Sequence, residues 1–143
     1  FSHPNIYSYK YSLLLRKIFK EYSKFVFCIS GTEANMKVLR IARAISNKKK
    51  IAMVYGSWHG SVDELLYSIN QKYQNIFPVS SGLNKNNNIV ILPYNNFLKT
   101  KKILDNQYKN ISLLIIEPIQ QVIPDYSNEK YLLDLIKYCN KKK

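Results

Sequence analysis

Three short polar segments hold the residues best suited to chemistry: Ser30-Gly31-Thr32, Ser57-Trp58-His59-Gly60 and Glu117-Pro118. The first lies in Ser30-Gly31-Thr32-Glu33-Ala34-Asn35, directly after the apolar run Phe25-Val26-Phe27-Cys28-Ile29. It opens a segment in which Ala34, Val38, Ile41, Ala42 and Ile45 recur at helical steps. The first amides of a helix have no intrahelical acceptor, and the helix dipole favours negative charge there. A glycine lets the backbone come close to an anion, and the Thr32 hydroxyl adds a donor. The turn is therefore a candidate phosphate or carboxylate site. The same residues also suit an ordinary cap, with Ser30 or Thr32 as N-cap and Glu33 as a first-turn acid. Both readings stay open at this level.

The spacing of apolar residues predicts the elements that must position these segments. Ile6 to Tyr22 reads as an amphipathic helix and Phe25 to Ile29 as a buried strand. Thr32 to Ser46 is a predicted helix, ended by Asn47-Lys48-Lys49-Lys50. Ile51 to Tyr55 is a second buried strand, followed by the Gly56-to-Gly60 loop and a short helix around Val62 to Ile69. Residues 70–88 read as a long loop rich in Asn, Ser and Gly. Ile89 to Leu92 is a third strand, Asn96 to Gln107 a helix, Ser112 to Ile116 a fourth strand and Asn128 to Asn140 a last helix. Continuously apolar strands alternating with helices indicate an α/β fold, with a mostly parallel sheet flanked by helices. In open sheets of this kind ligands sit beyond the carboxyl ends of the strands, and all three polar segments fall there.

The chain has 143 residues, which is room for one core. It starts with Phe and ends in Lys141-Lys142-Lys143, so both ends read as cuts in a longer protein. No apolar run reaches the roughly 18 residues of a membrane span, and no signal peptide is visible. Cys28 and Cys139 suggest neither a metal site nor a disulfide framework, so a cytoplasmic setting is expected. The net charge of +13 invites a nucleic-acid reading. Against it, only Arg16, Arg40 and Arg43 among the 22 basic residues are arginine. The lysines are scattered, and the aromatic residues form no basic-aromatic stripe for stacking bases. Neither a nucleic acid nor a membrane is expected as a partner.

Several motifs now stand in order. The Ser-Gly-Thr-Glu-Ala-Asn turn is followed by Leu39-Arg40-Ile41-Ala42-Arg43-Ala44, by Lys50-Ile51 and a strand, by an aromatic-His-Gly loop, and by a strand ending in Glu117-Pro118. This order resembles the class III pyridoxal-phosphate-dependent aminotransferases. The likeness is nearest to the glutamate-1-semialdehyde 2,1-aminomutase group and its aminotransferase relatives. The resemblance implies that residues 1–143 form part of the cofactor-binding large domain of a fold-type I enzyme, truncated at both ends. It implies pyridoxal 5'-phosphate as cofactor, a small amino or oxo substrate, amino-group transfer through a Schiff base, and a homodimer at full length. By the same resemblance Gly31 and Thr32 hold the cofactor phosphate, with Ser30 alongside. Trp58 stands where the family stacks a Tyr or Phe on the pyridine ring; as an alternative it is a buried loop anchor. His59 is implied as structural or orienting, and Glu117 as part of a hydrogen-bond network beside the ring. Asp63 and Glu64 read as first-turn acids only, and Tyr94 as a residue that could reach the same cleft.

The sequence departs from the family after Glu117-Pro118. Ile119-Gln120-Gln121-Val122-Ile123-Pro124-Asp125 is shorter than the family's stretch and lacks its glycine, which leaves the substrate open. The family's ring-nitrogen Asp and Schiff-base Lys would lie beyond Lys143, so no catalytic residue is assigned and the chain alone is expected to be inactive. Two other readings remain. One is a class III aminotransferase with another amino donor in a biosynthetic pathway. The other is a noncatalytic phosphate-binding module.

Overall fold

The computed structural model describes residues 5–70, 72, 74–122 and 124–142. Three parallel strands form the main sheet: β1 (Lys50–Val54) lies between β4 (Ile89–Leu92) and β5 (Ile111–Ile115). Register pairs Ile51 with Ile89 on one side and with Leu113 on the other. The hairpin β2 (Tyr67–Asn70) and β3 (Asn75–Pro78) forms a separate antiparallel pair. The described residues also form four α-helices: α1 (Ile6–Ile18), α2 (Gly31–Ser46), α3 (Phe97–Gln107) and α4 (Glu129–Lys141).

Side chains alternate across the sheet and create two cores. Ile51, Met53, Ile89 and Ile91 point to one face, with Leu39 of α2 and with Val62, Leu65 and Tyr67. Ala52, Val54, Val90 and Leu92 point to the other, against Leu104 of α3 and Tyr131, Leu135 and Tyr138 of α4. Every residue from Ile51 to Val54 and from Ile89 to Leu92 is buried, as two-sided cover requires. The alternation slips once. Lys50 pairs with Ile111 but Ile51 pairs with Leu113, so Ser112 is an inserted residue, and its hydroxyl donates to the Lys50 carbonyl at 2.9 Å.

The structure departs from four of these expectations. Phe25 to Ile29 is not a strand: the segment pairs with no strand among the described residues, and Ile29 is 98% exposed. An apolar run becomes a strand only where a neighbour completes its ladder. This one is held by other contacts, among them Phe27 stacked on Tyr11 with ring centroids 5.5 Å apart and the Ile29 amide bonded to Glu33. The helix expected around Val62 to Ile69 is a single 3-10 turn, Asp63–Leu65, followed by β2. The loop expected over 70–88 contains β3. Val62, Leu65 and Tyr67, with Ile69 and Ile76 beside them, all reach the same core, and an extended hairpin delivers them there. The first helix ends at Ile18 instead of Tyr22, and none of its residues is buried.

Candidate active site

The site is built where β1, β5 and the start of α2 meet. Ser30 is the N-cap of α2, and its hydroxyl accepts from the Glu33 amide at 3.1 Å. Glu33 reaches back, its Oε2 accepting from the Ile29 amide at 2.8 Å, and pairs with Lys37 at 2.7 Å. This reciprocal arrangement is close to a capping box. The Ala34 amide bonds to the Ser30 carbonyl at 3.1 Å. The cap therefore occupies the amides of Glu33 and Ala34, while those of Gly31 and Thr32 come before the helix's own ladder. A Cβ on Gly31 would meet nothing within 4 Å, so space beside these amides is open.

The loop after β1 is drawn onto this helix start. The His59 carbonyl accepts from Asn35 Nδ2 at 2.8 Å. Gly60 has φ +79, and a Cβ there would lie 3.1 Å from the Thr32 Cα. Only glycine lets the loop pass so close to Thr32 in this conformation. His59 itself is buried at 7% exposure, and its Nε2 has no hydrogen-bond partner among the described residues. Burial pushes its pKa below the ordinary value, with the Glu117 charge opposing that shift. Trp58, by contrast, is 52% exposed and so is not a buried anchor in this structure.

Glu117 ties the β5 end to the same loop. Its Oε2 accepts from the Trp58 amide at 3.0 Å and its Oε1 from the Gln121 amide at 2.9 Å. Glu117 is thus a half-buried carboxylate with both oxygens paired. The structure thus brings Ser30, Gly31 and Thr32, Trp58 and His59, and Glu117 to one end of the sheet through direct contacts. Tyr94 meets this end through Asn128: its hydroxyl accepts from Asn128 Nδ2 at 3.0 Å and its ring meets Tyr131 edge-on. Glu64 does more than start a helix, since it pairs with Arg43 at 3.1 Å.

Three residues of this end carry weight that the sequence reading did not assign. Asn35 joins α2 to the β1 loop, Asn128 donates to the Pro118 carbonyl at 2.6 Å, and Gln120 is buried beneath the loop. Asn35 had a usable signal, since it sits one helical turn after Thr32 and faces the same way. Gln120 had none beyond lying just after a strand end, and Asn128 none beyond standing at the start of the last helix. Among the described residues no group of three His, Cys, Asp or Glu side chains could hold a metal ion.

The model of the class III aminotransferases matches residues 4–143. The chain belongs to the class III aminotransferase family. It is 37% identical over 121 residues to the glutamate-1-semialdehyde 2,1-aminomutase of Wigglesworthia glossinidia brevipalpis, covering 78% of this chain and 27% of that protein. It is 32% identical over 119 residues to the enzyme of the same name from Thermodesulfovibrio yellowstonii, covering 81% of this chain and 28% of the relative. The chain thus spans little more than a quarter of the curated relatives it matches. Among solved structures, a glutamate-1-semialdehyde aminomutase from Pseudomonas aeruginosa PAO1 superposes with a TM-score of 0.81 at 19% identity, over 99% of this chain and 32% of that one. A transaminase with pyridoxal phosphate bound superposes at 0.78 with 23% identity, over 99% of this chain and 34% of that one. The fold is that of part of the fold-type I transaminases. Class III aminotransferases are pyridoxal-phosphate-dependent enzymes.

The residues present fit such a cofactor. Two backbone amides and a hydroxyl at a helix start suit a phosphate dianion, and the open space at Gly31 admits it. The exposed Trp58 offers a flat face for an aromatic ring.

Proposed function

We propose that this chain contributes residues 1–143 of the cofactor-binding large domain of a pyridoxal-phosphate-dependent enzyme that moves amino groups, in the manner of a glutamate-1-semialdehyde 2,1-aminomutase. The observation that carries this reading is the convergence of the Thr32 helix start, the Trp58 loop and Glu117 at one sheet end, in a family member 37% and 32% identical to two curated proteins of that name.

In this reading the Gly31 and Thr32 amides and the Thr32 hydroxyl hold the phosphate, with the Ser30 O–H alongside. The Trp58 ring lies on the pyridine face, and Glu117 keeps the Trp58 backbone in place beneath it. His59 stays neutral and orients the loop through its carbonyl bond to Asn35. When bound, the cofactor supplies an electron sink for breaking bonds at the amino-bearing carbon. The phosphate anchor fixes the ring's position, so that this chain's contribution is binding and orientation rather than proton transfer. The same reading carries a homodimer at full length, supported by the apolar surface of α1, where Ile6, Leu14 and Ile18 are all more than half exposed. It also carries a cytoplasmic setting.

The departure over residues 119–125 keeps a second class III activity in view, an aminotransferase passing the amino group to a separate oxo acid. The test is turnover by the full-length protein with glutamate-1-semialdehyde as sole substrate. Pyridoxal-phosphate-dependent isomerisation without an added amino donor or acceptor supports the aminomutase reading. Turnover only with a separate donor and acceptor moves the protein to the second activity. Phosphate-ester binding with no selectivity for pyridoxal phosphate, and no turnover, overturns both.

A further inference from the structure

Gln120 is 2% exposed, a buried polar side chain under the β1 loop. Its Nε2 donates to the Tyr55 carbonyl at 2.8 Å and to the Ser57 hydroxyl at 3.0 Å. Gly56, between those two acceptors, has φ +80, and a Cβ there would stand 3.3 Å from Gln120 Oε1. The amide therefore lies flat against a backbone that has no side chain in the way. Three residues earlier, Glu117 takes the Trp58 amide. The short span 117–120 thus grips residues 55, 57 and 58 at successive points.

We propose that Gln120 is a positioning residue for the cofactor: it fixes the backbone on either side of Gly56 and so sets the height and tilt of the Trp58 ring. The proposal rests on the pyridoxal-phosphate reading above. Trp58 is half exposed, so the packing of its own ring constrains it little, and the backbone beneath it decides where the ring lies. Glu117 holds one amide of that loop but leaves the Tyr55-to-Ser57 corner to Gln120. A hydrophobic side chain of the same length would fill the space without donating, which separates the tether from the packing.

The test uses the full-length protein with Gln120→Met, alone and in a Trp58→Ala background. Amide hydrogen exchange over residues 55–60, measured without added cofactor, is expected to run about tenfold faster in Gln120→Met, the factor for losing two neutral hydrogen bonds. The dissociation constant for pyridoxal phosphate, read from the dichroism of the bound cofactor, is expected to rise about tenfold, with a changed dichroism band. In the Trp58→Ala background the same substitution is expected to change affinity less than about twofold, since the ring it positions is gone. Unchanged affinity and dichroism in Gln120→Met overturn the proposal, as does an undiminished loss without Trp58. Should Gln120→Met fail to fold, Ser57→Ala removes one acceptor at the loop surface, and about a threefold weaker affinity is expected; wild-type affinity overturns the proposal. A wild-type protein that binds no pyridoxal phosphate overturns the underlying function, whatever the exchange data show.

Discussion

Replacing Gly60 by alanine separates backbone strain from the close approach that joins the β1 loop to α2. Gly60 has φ +79 and Gly82 has φ +89, so alanine at either position is held in the left-handed region. That conformation costs about 1 kcal/mol for a residue with a Cβ. At Gly82 nothing lies within 4 Å of the added Cβ, so the cost ends there. At Gly60 the Cβ would collide with the Thr32 hydroxyl and lie 3.1 Å from both Cα and Cβ of Thr32. The Cα is backbone and cannot swing away, so the helix start or the loop must shift, at about 1–3 kcal/mol more. Gly60→Ala is thus expected to destabilise the protein by about 2–4 kcal/mol and Gly82→Ala by about 1 kcal/mol. Urea unfolding of both variants measures the difference, with unchanged slopes confirming that midpoints report stability. Equal losses at the two glycines would refute the claimed contact between the Trp58 loop and Thr32.

Ser30→Ala removes the acceptor for the Glu33 amide and is expected to cost about 1 kcal/mol in thermal unfolding. Glu117→Gln leaves one carbonyl oxygen for two amides, those of Trp58 and Gln121, and is expected to cost about 1–3 kcal/mol by urea unfolding, with faster amide exchange at the orphaned site. His59 titrates below its ordinary 6.5 when folded, so in the window beneath 6.5 the unfolded chain binds more protons. Stability is therefore expected to fall as pH drops through 6.5 toward the lowered folded value, and His59→Gln to flatten that slope.

The parallel sheet and its helices were legible because buried strands such as Ile51 to Val54 and Ile89 to Leu92 are continuously apolar. The start of α2 was legible to within one residue, read at Thr32 and found at Gly31, since a Ser or Thr cap with a first-turn acid is a local signal. What failed was whatever depended on distant partners. Phe25 to Ile29 has strand composition but no ladder neighbour among the described residues. Val62, Leu65, Leu66 and Ile69 have helical spacing, yet the sheet face draws Val62 and Leu65 into the core through a 3-10 turn and a hairpin. The six candidate site residues do gather at one end of the sheet. Of the amides that fasten them, Asn35 carries a helical-spacing signal, whereas no local pattern marks Gln120, whose partner Tyr55 lies 65 positions away, or Asn128, whose partner Pro118 lies 10 positions away.

The central claim is that the start of α2 holds a cofactor phosphate. The most direct measurement compares the affinities of pyridoxal phosphate and of unphosphorylated pyridoxal for the full-length protein and its Thr32→Ala variant. Loss of one hydrogen bond to a charged group predicts at least a tenfold weaker affinity for pyridoxal phosphate. Affinity for pyridoxal is predicted to stay unchanged. Equal losses for both ligands, or no loss for either, would contradict the claim.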